Sequence, residues 1–200
     1  MMEQNEANYS TIVAHVENRP GVLARVASLF RRRGFNIESL TVGKADEPGL
    51  SRMTIVVEGG VANVQQVERQ LFKLIDVVSV VDISQQPMVD REMALIKVRC
   101  ASGTRLEVGE LARSFRADVV DVGPESVIVQ VLGDAGKVEA LEELLRPYGI
   151  LELVRTGRVA MVRGVETSKP SPISSHEHEA EEARAQLGRR PDGALPFASD

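Results

Sequence analysis

Few residues in this 200-residue chain have the types and spacing that chemistry requires. Three histidines are present. His15 sits on a predicted strand, while His176 and His178 form Ser-His-Glu-His-Glu in an acidic segment. An isolated His-x-His there reads as solvated, so no metal site is expected. Cys100 is the single cysteine, and no second histidine is placed to activate it. It reads as a small core residue, not a nucleophile. Gly133-Asp-Ala-Gly-Lys137 departs from the Gly-x4-Gly-Lys-Ser/Thr spacing of a phosphate loop, with two intervening residues and Val138 after the lysine. It reads as a turn and a helix cap. Arg31, Arg32 and Arg33 complement the negative end of a helix. Neither a carboxylate pair nor a serine elbow stands out, and no catalytic residue is assigned.

One stretch has the makings of a binding site. Asn18-Arg-Pro-Gly-Val-Leu23 reads as the end of a strand and an abrupt helix start. Asn18 is placed to accept hydrogen bonds from the first helical turn, and Pro20 is pre-set for that turn. Gly21 carries no side chain, so a ligand can approach the backbone there. Free amides and the positive end of a helix dipole make such a start a carboxylate site.

The elements that position this stretch follow from periodicity. Residues 10–16 alternate, with Ile12, Ala14 and Val16 on one face and Thr11, Val13 and His15 on the other, which predicts a strand. A helix is predicted over 20–33, with Val22, Val26, Leu29 and Phe30 as its apolar stripe and Gly34 as its stop. Strands over 36–43 and 51–58 flank a polar turn and predict a hairpin. Val64, Val67, Leu71 and Leu74 mark a second helix over 61–74, and a valine-dense strand covers 77–83. The order is βαββαβ, a ferredoxin-like unit. It repeats after a Gln85-Gln-Pro linker: strand 92–100, helix 104–115, hairpin 117–122 with 126–132, a helix capped by Asp134 and running to 146, and strands 150–156 and 159–163. The fold class is therefore α+β, with tandem ferredoxin-like domains over 8–85 and 90–164. Residues 165–200 read as a disordered acidic tail with a short helix around 178–187.

Composition bounds the partners. A formal net charge of −5 argues against nucleic acid. Four Lys/Arg and seven Asp/Glu fall in 164–200, which leaves the rest of the chain nearly neutral. The polar N-terminus lacks the apolar core of a signal peptide, and no run is long enough to span a membrane. A lone cysteine fits a reducing compartment, so a cytoplasmic protein is expected. Val77-Val-Ser-Val-Val81 and Ile55-Val-Val57 put apolar groups on both faces of the first sheet. A ferredoxin-like sheet has helices on one face only, so the other must be covered by the second half of the chain or by another subunit.

In a βαββαβ unit, a strand followed by Asn18-Arg-Pro-Gly-Val-Leu23 and a helix resembles the amino-acid-binding ACT domain. The segments Gly34-Phe-Asn-Ile-Glu-Ser-Leu-Thr-Val42, Leu50-Ser-Arg-Met-Thr-Ile55 and Gln70-Leu-Phe-Lys-Leu-Ile-Asp-Val77 are similar to the small, regulatory subunit of acetolactate synthase (acetohydroxyacid synthase). So are Asp90-Arg-Glu-Met-Ala-Leu-Ile-Lys-Val98, Phe115-Arg-Ala-Asp-Val-Val-Asp-Val122 and Arg155-Thr-Gly-Arg-Val159. The resemblance covers about residues 10–164, with an ACT domain first and an ACT-like domain second. It implies a non-catalytic subunit that binds the large catalytic subunit, raises its activity and confers feedback inhibition by valine, leucine or isoleucine. Thiamine diphosphate, magnesium and FAD belong, on this resemblance, to the large subunit, and this chain holds no cofactor. The implied effector site comprises Asn18, Pro20, Gly21, Val22 and Leu23, with Asn36 and Ile37 from the facing subunit of an ACT homodimer. The rival classes are a stand-alone amino-acid sensor of transport or transcription, for which no helix-turn-helix or basic patch is visible, and a small enzyme. The acidic tail has no counterpart in the family pattern.

Overall fold

The computed structural model describes residues 9–59 and 61–169. Two antiparallel sheets follow one another along the chain. The first has the order β2-β3-β1-β4, from β1 (Tyr9–Glu17), β2 (Ile37–Lys44), β3 (Leu50–Glu58) and β4 (Val77–Asp82). Helices α1 (Val22–Arg33) and α2 (Val61–Leu71) return the chain between strands. The second has the order β6-β7-β5-β8, from β5 (Met88–Arg99), β6 (Asp118–Val122), β7 (Ser126–Gly133) and β8 (Ile150–Arg155). Its helices are α3 (Arg105–Ser114) and α4 (Ala135–Leu145), and a short β9 (Val159–Val162) follows. The repeated βαββαβ order is thus present in both halves.

Each half builds its core between helices and one sheet face. In the first, Ile12, Ala14 and Val16 of β1 meet Val22, Val26, Leu29 and Phe30 of α1 and Val64, Val67 and Leu71 of α2. The period-2 strand and the period-3.6 stripe bring the same residues inward that the sequence pattern selects. In the second, Ala94, Ile96 and Val98 of β5 meet Val108 and Ala112 of α3 and Val138, Leu141 and Leu145 of α4, with Cys100 fully buried among them. Asp134 caps α4, its Oδ1 accepting from the Lys137 amide at 2.8 Å. The Gly133–Lys137 run is accordingly a turn and a cap.

The second face of the first sheet is covered by the other half of the same chain. β5 begins at Met88, directly after the Gln85-Gln-Pro linker and four residues before the predicted strand start at 92, because Met88–Arg91 pairs with β9 before the strand enters its own sheet. That two-stranded ribbon lays Ala160 and Val162 against Val13 and Ile83, which forms a third small core. Burial of these side chains is the physical reason for the early strand: isolated Met88-Val-Asp-Arg91 has no alternation to announce it.

The corner between β8 and β9 locks the halves together. An added Cβ on Gly157 would lie 2.6 Å from Thr41 Oγ1, 2.7 Å from Ser39 Oγ and 3.0 Å from the Leu40 carbonyl, so only glycine fits against β2. The Arg158 amide donates to Ser39 Oγ at 2.8 Å. Its guanidinium lies 3.4 Å from Asp90 and 3.8 Å from Glu92, and Arg155 pairs with Glu92 at 2.6 Å. Farther on, Ser168 is buried and accepts from Arg52 at 2.7 Å, and Lys169 pairs with Asp46. Residues 168 and 169, which the sequence reading places in the tail, thus lie against the first sheet. The segment 170–200, with His176, His178 and the helix expected around 178–187, lies outside the described residues.

Candidate functional site at the first helix start

Between β1 and α1 the chain makes a tight turn, and its conformation explains its residues. The Val22 amide donates to the Arg19 carbonyl at 3.4 Å, and Gly21 has φ 87° and ψ −11°. Those angles place Pro20 and Gly21 at the central positions of a type II turn, which fixes φ for proline first and requires a left-handed residue second. Helix α1 therefore starts at Val22, with Gly21 as its N-cap, and Pro20 belongs to the turn instead of the first helical position. The predicted start at 20 is corrected on this ground.

A second correction concerns Asn18. Its backbone amide donates to the Gly49 carbonyl at 2.8 Å, which ties β1 to the β2–β3 hairpin. No side chain caps α1. The role expected for Asn18 as a helix cap is not taken up, because the two-residue turn carries the asparagine back along the strand end. The consequence is chemical: the amides of Leu23 and Ala24 have no acceptor among the described residues. Exposed amides at a positive helix end remain available for an anion.

The surroundings set the rigidity of this start. Arg25, one turn into α1, forms a two-pronged pair with buried Asp76 through Nε at 2.7 Å and Nη2 at 2.8 Å. Asp76 also accepts from the Glu17 amide through its carbonyl at 2.9 Å. The strand end, the helix start and the approach to β4 are thus held by one residue. Asn18, Pro20, Gly21 and Leu23 are exposed, whereas Val22 is buried in the core.

Asn36 and Ile37 lie elsewhere. Ile37 pairs with Val57, and Val57 pairs with Ser10, at the opening end of β1. Asn18 follows the closing end. The nine residues of β1 separate the two groups, about 26 Å at the rise of a strand. Within one chain the structure brings Asn18–Leu23 together and leaves Asn36 and Ile37 at the opposite end of the sheet.

Other candidate groups fall into structural roles. His15 is buried on the face away from the helices, its Nδ1 3.1 Å from Ser79 Oγ. Burial, and then the Arg52 charge, lower its pKa below 6.5, which favours the neutral ring. Among the described residues no cluster of His, Cys, Asp and Glu is fit to hold a metal ion. No described helix is long and apolar enough to cross a membrane. Sequence reasoning missed the Arg52 hydrogen bonds and the Gly157 contact. The Arg155-Thr-Gly-Arg-Val159 run is the signal that marks the second.

The comparisons agree with this architecture. Residues 12–79 match the family model described as an AHAS small subunit-like ACT domain. Residues 91–164 match that of the small subunit of acetolactate synthase. A probable acetolactate synthase small subunit of Archaeoglobus fulgidus is 57% identical over 154 residues, covering 77% of this chain and 96% of that one. The acetolactate synthase small subunit of Bacillus subtilis is 50% identical over 161 residues, covering 80% and 94%. The crystal structure of the Thermotoga maritima small subunit superposes with a TM-score of 0.74 at 42% identity, covering 80% of this chain and 99% of that one.

Proposed function

Because this chain belongs to the acetolactate synthase small-subunit family, we propose that it is a regulatory subunit that senses a branched-chain amino acid. It binds the large catalytic subunit, raises its activity and lowers it again when valine, leucine or isoleucine binds. Thiamine diphosphate, magnesium and FAD serve the reaction on the large subunit. The chain's own part is binding and conformational.

The observation that carries this reading is the division of the effector site. An uncapped helix start offers amides for a carboxylate, with the Asn18 side chain free beside it. The second group, Asn36 and Ile37, offers an amide and an apolar wall, at the far end of the same sheet. Two copies related by a twofold axis bring the helix start of one against the strand start of the other. The effector then bridges the copies and favours whichever arrangement of the dimer holds it more tightly. No charged side chain is needed to select an aliphatic amino acid, since backbone amides take the carboxylate.

A protein partner is also supported by the second sheet. On its face away from the helices, Leu132 stands opposite Met93, and Val154 opposite Leu95. Leu132 and Val154 are 55% and 54% exposed, so an apolar strip is open to a partner.

The test mixes the full chain with an acetolactate synthase large subunit and measures acetolactate formation. Activity is expected to rise on addition of the chain and to fall when valine, leucine or isoleucine is added. A mixture that behaves like the large subunit alone overturns the reading.

A further inference from the structure

At the junction between the two halves, the corner residues Arg155 and Arg158 are matched by Glu92, Glu139 and Asp90 of their own half. Beside them, between β2–β3 and the β5–β9 ribbon, lies a crevice of about 320 Å³. Lys44, Arg52 and Arg91 line it, and no aspartate or glutamate does. Among the described residues none of these three cations has a carboxylate at ion-pair distance.

Arg52 is the group that most needs explaining. Its guanidinium donates to Ser168 Oγ and to the Ala160 carbonyl, both at 2.7 Å and both neutral. Removing a charge from water costs free energy that neutral acceptors return only in part. Arg91 donates to the carbonyl of Asp90 at 2.6 Å, again a neutral acceptor. Thr41, also in the lining, has a buried hydroxyl with no partner. The remaining walls are apolar: Val89, Val159, Ala160 and Met161. Cations gathered with no carboxylate at ion-pair distance give the crevice a positive potential.

We propose that this crevice binds a small organic anion, a monocarboxylate with a short apolar tail. The carboxylate lies against Arg52 and Arg91, whose planar forks match it, with Lys44 adding charge. The tail lies on Val89, Val159 and Met161. The volume falls at the lower end of small-molecule sites, about 300–1,000 Å³, which limits the tail to a few carbons. The crevice is on the sheet face opposite α1, since Thr54 and Arg52 share the face of Val13 and His15. It is therefore separate from the helix-start site. A ligand there touches β2, β3, β5 and β9 together and so ties the two halves.

The test titrates the full chain with hexanoate and follows amide shifts by NMR. Hexanamide, a neutral isostere, and inorganic phosphate, an anion without a tail, serve as controls. Saturable hexanoate binding is expected, with shifts at Thr41, Arg52 and Met161 and with both controls weaker by about tenfold, the worth of one charge-assisted hydrogen bond. Lys44→Gln combined with Arg91→Gln, at two exposed positions that leave the Arg52 contacts intact, is expected to weaken hexanoate by about tenfold or more. The proposal is overturned if hexanoate does not saturate, if hexanamide binds equally well, or if the double variant binds like the parent. Shifts confined to residues 18–23 likewise overturn it, since the ligand would then occupy the helix-start site.

Discussion

Gly21 and His15 show how much one residue can carry. Gly21 adopts φ 87°, a region that side-chain-bearing residues enter at a cost of about 1–2 kcal/mol. An added Cβ would also lie 3.3 Å from Arg25 Nη1, the flexible end of the side chain that grips Asp76. Gly21→Ala is therefore expected to lower unfolding free energy by about 1–2 kcal/mol in urea. Gly21→Asn is expected to lose clearly less, because asparagine tolerates the left-handed region. Equal losses would show that contact with Arg25, not conformation, sets the cost. His15 provides the pH dependence. Its ring faces Arg52, Glu47, Asp46 and Lys169, and burial and Arg52 hold its pKa below 6.5. The unfolded chain therefore binds a proton at a higher pH than the fold does. The histidine's share of stability is fully present above pH 6.5 and is lost as pH falls below it. Urea midpoints are expected to decline from about pH 7.5 to about pH 5.5, and His15→Gln is expected to flatten that decline. An unchanged slope in the variant assigns the loss to other groups.

At the scale of elements, Gly157 tests how the halves are joined. Its need is space, not conformation, because the built Cβ collides with Ser39, Thr41 and the Leu40 carbonyl. The first two are side chains, but the carbonyl belongs to the backbone of β2 and cannot turn away. Gly157→Ala is expected to cost about 1–3 kcal/mol, the range of overpacked sites, as read by thermal or urea unfolding. Combining it with Ser39→Ala restores only part, because the carbonyl remains; full restoration would show that the hydroxyl was the whole obstacle. None of these contacts is legible in local periodicity. The strands and helices were, since alternation in β1 and the Val22, Val26, Leu29, Phe30 stripe report directly on what lies inward. Arg155-Thr-Gly-Arg-Val159 and Met88-Val-Asp-Arg91 owe their structure to neighbours more than 60 residues away in the chain, as in the pairings of Arg155 with Ala94 and of Met88 with Val162. Local periodicity holds no record of such partners. The candidate site divides in the same way. Pro20-Gly21 announces its turn through fixed and left-handed φ values, whereas the missing cap at Asn18 depends on the route of the chain in space.

For the whole molecule, the decisive question is whether one effector pocket draws on two chains. Covering of Val13 and Ile83 by Ala160 and Val162 removes one apolar reason for the first sheet to associate. The proposed dimer then rests on the helix-start and strand-edge regions instead, where the proposed effector groups lie. Their separation along β1 makes the point testable without knowing the dimer's geometry. Asn18→Asp places a carboxylate beside the helix start, and Asn36→Asp places one at the far end of the sheet; both positions are exposed, so the fold is expected to survive each. Each homodimer carries the defect in both pockets, and valine inhibition of the reconstituted enzyme is expected to weaken by about tenfold or more. Unfolding and refolding the two variants together yields mixed dimers as about half of the population. In a mixed dimer one pocket collects both substitutions and the other collects neither. Full-affinity valine binding is therefore expected to reappear in about a quarter of all pockets, read by calorimetry as a restored tight component. If each pocket is built within a single chain, every pocket keeps one defect and no tight component returns. An Asn36→Asp homodimer that keeps full valine affinity would instead leave Asn36 without a part in sensing and confine the effector to the helix start.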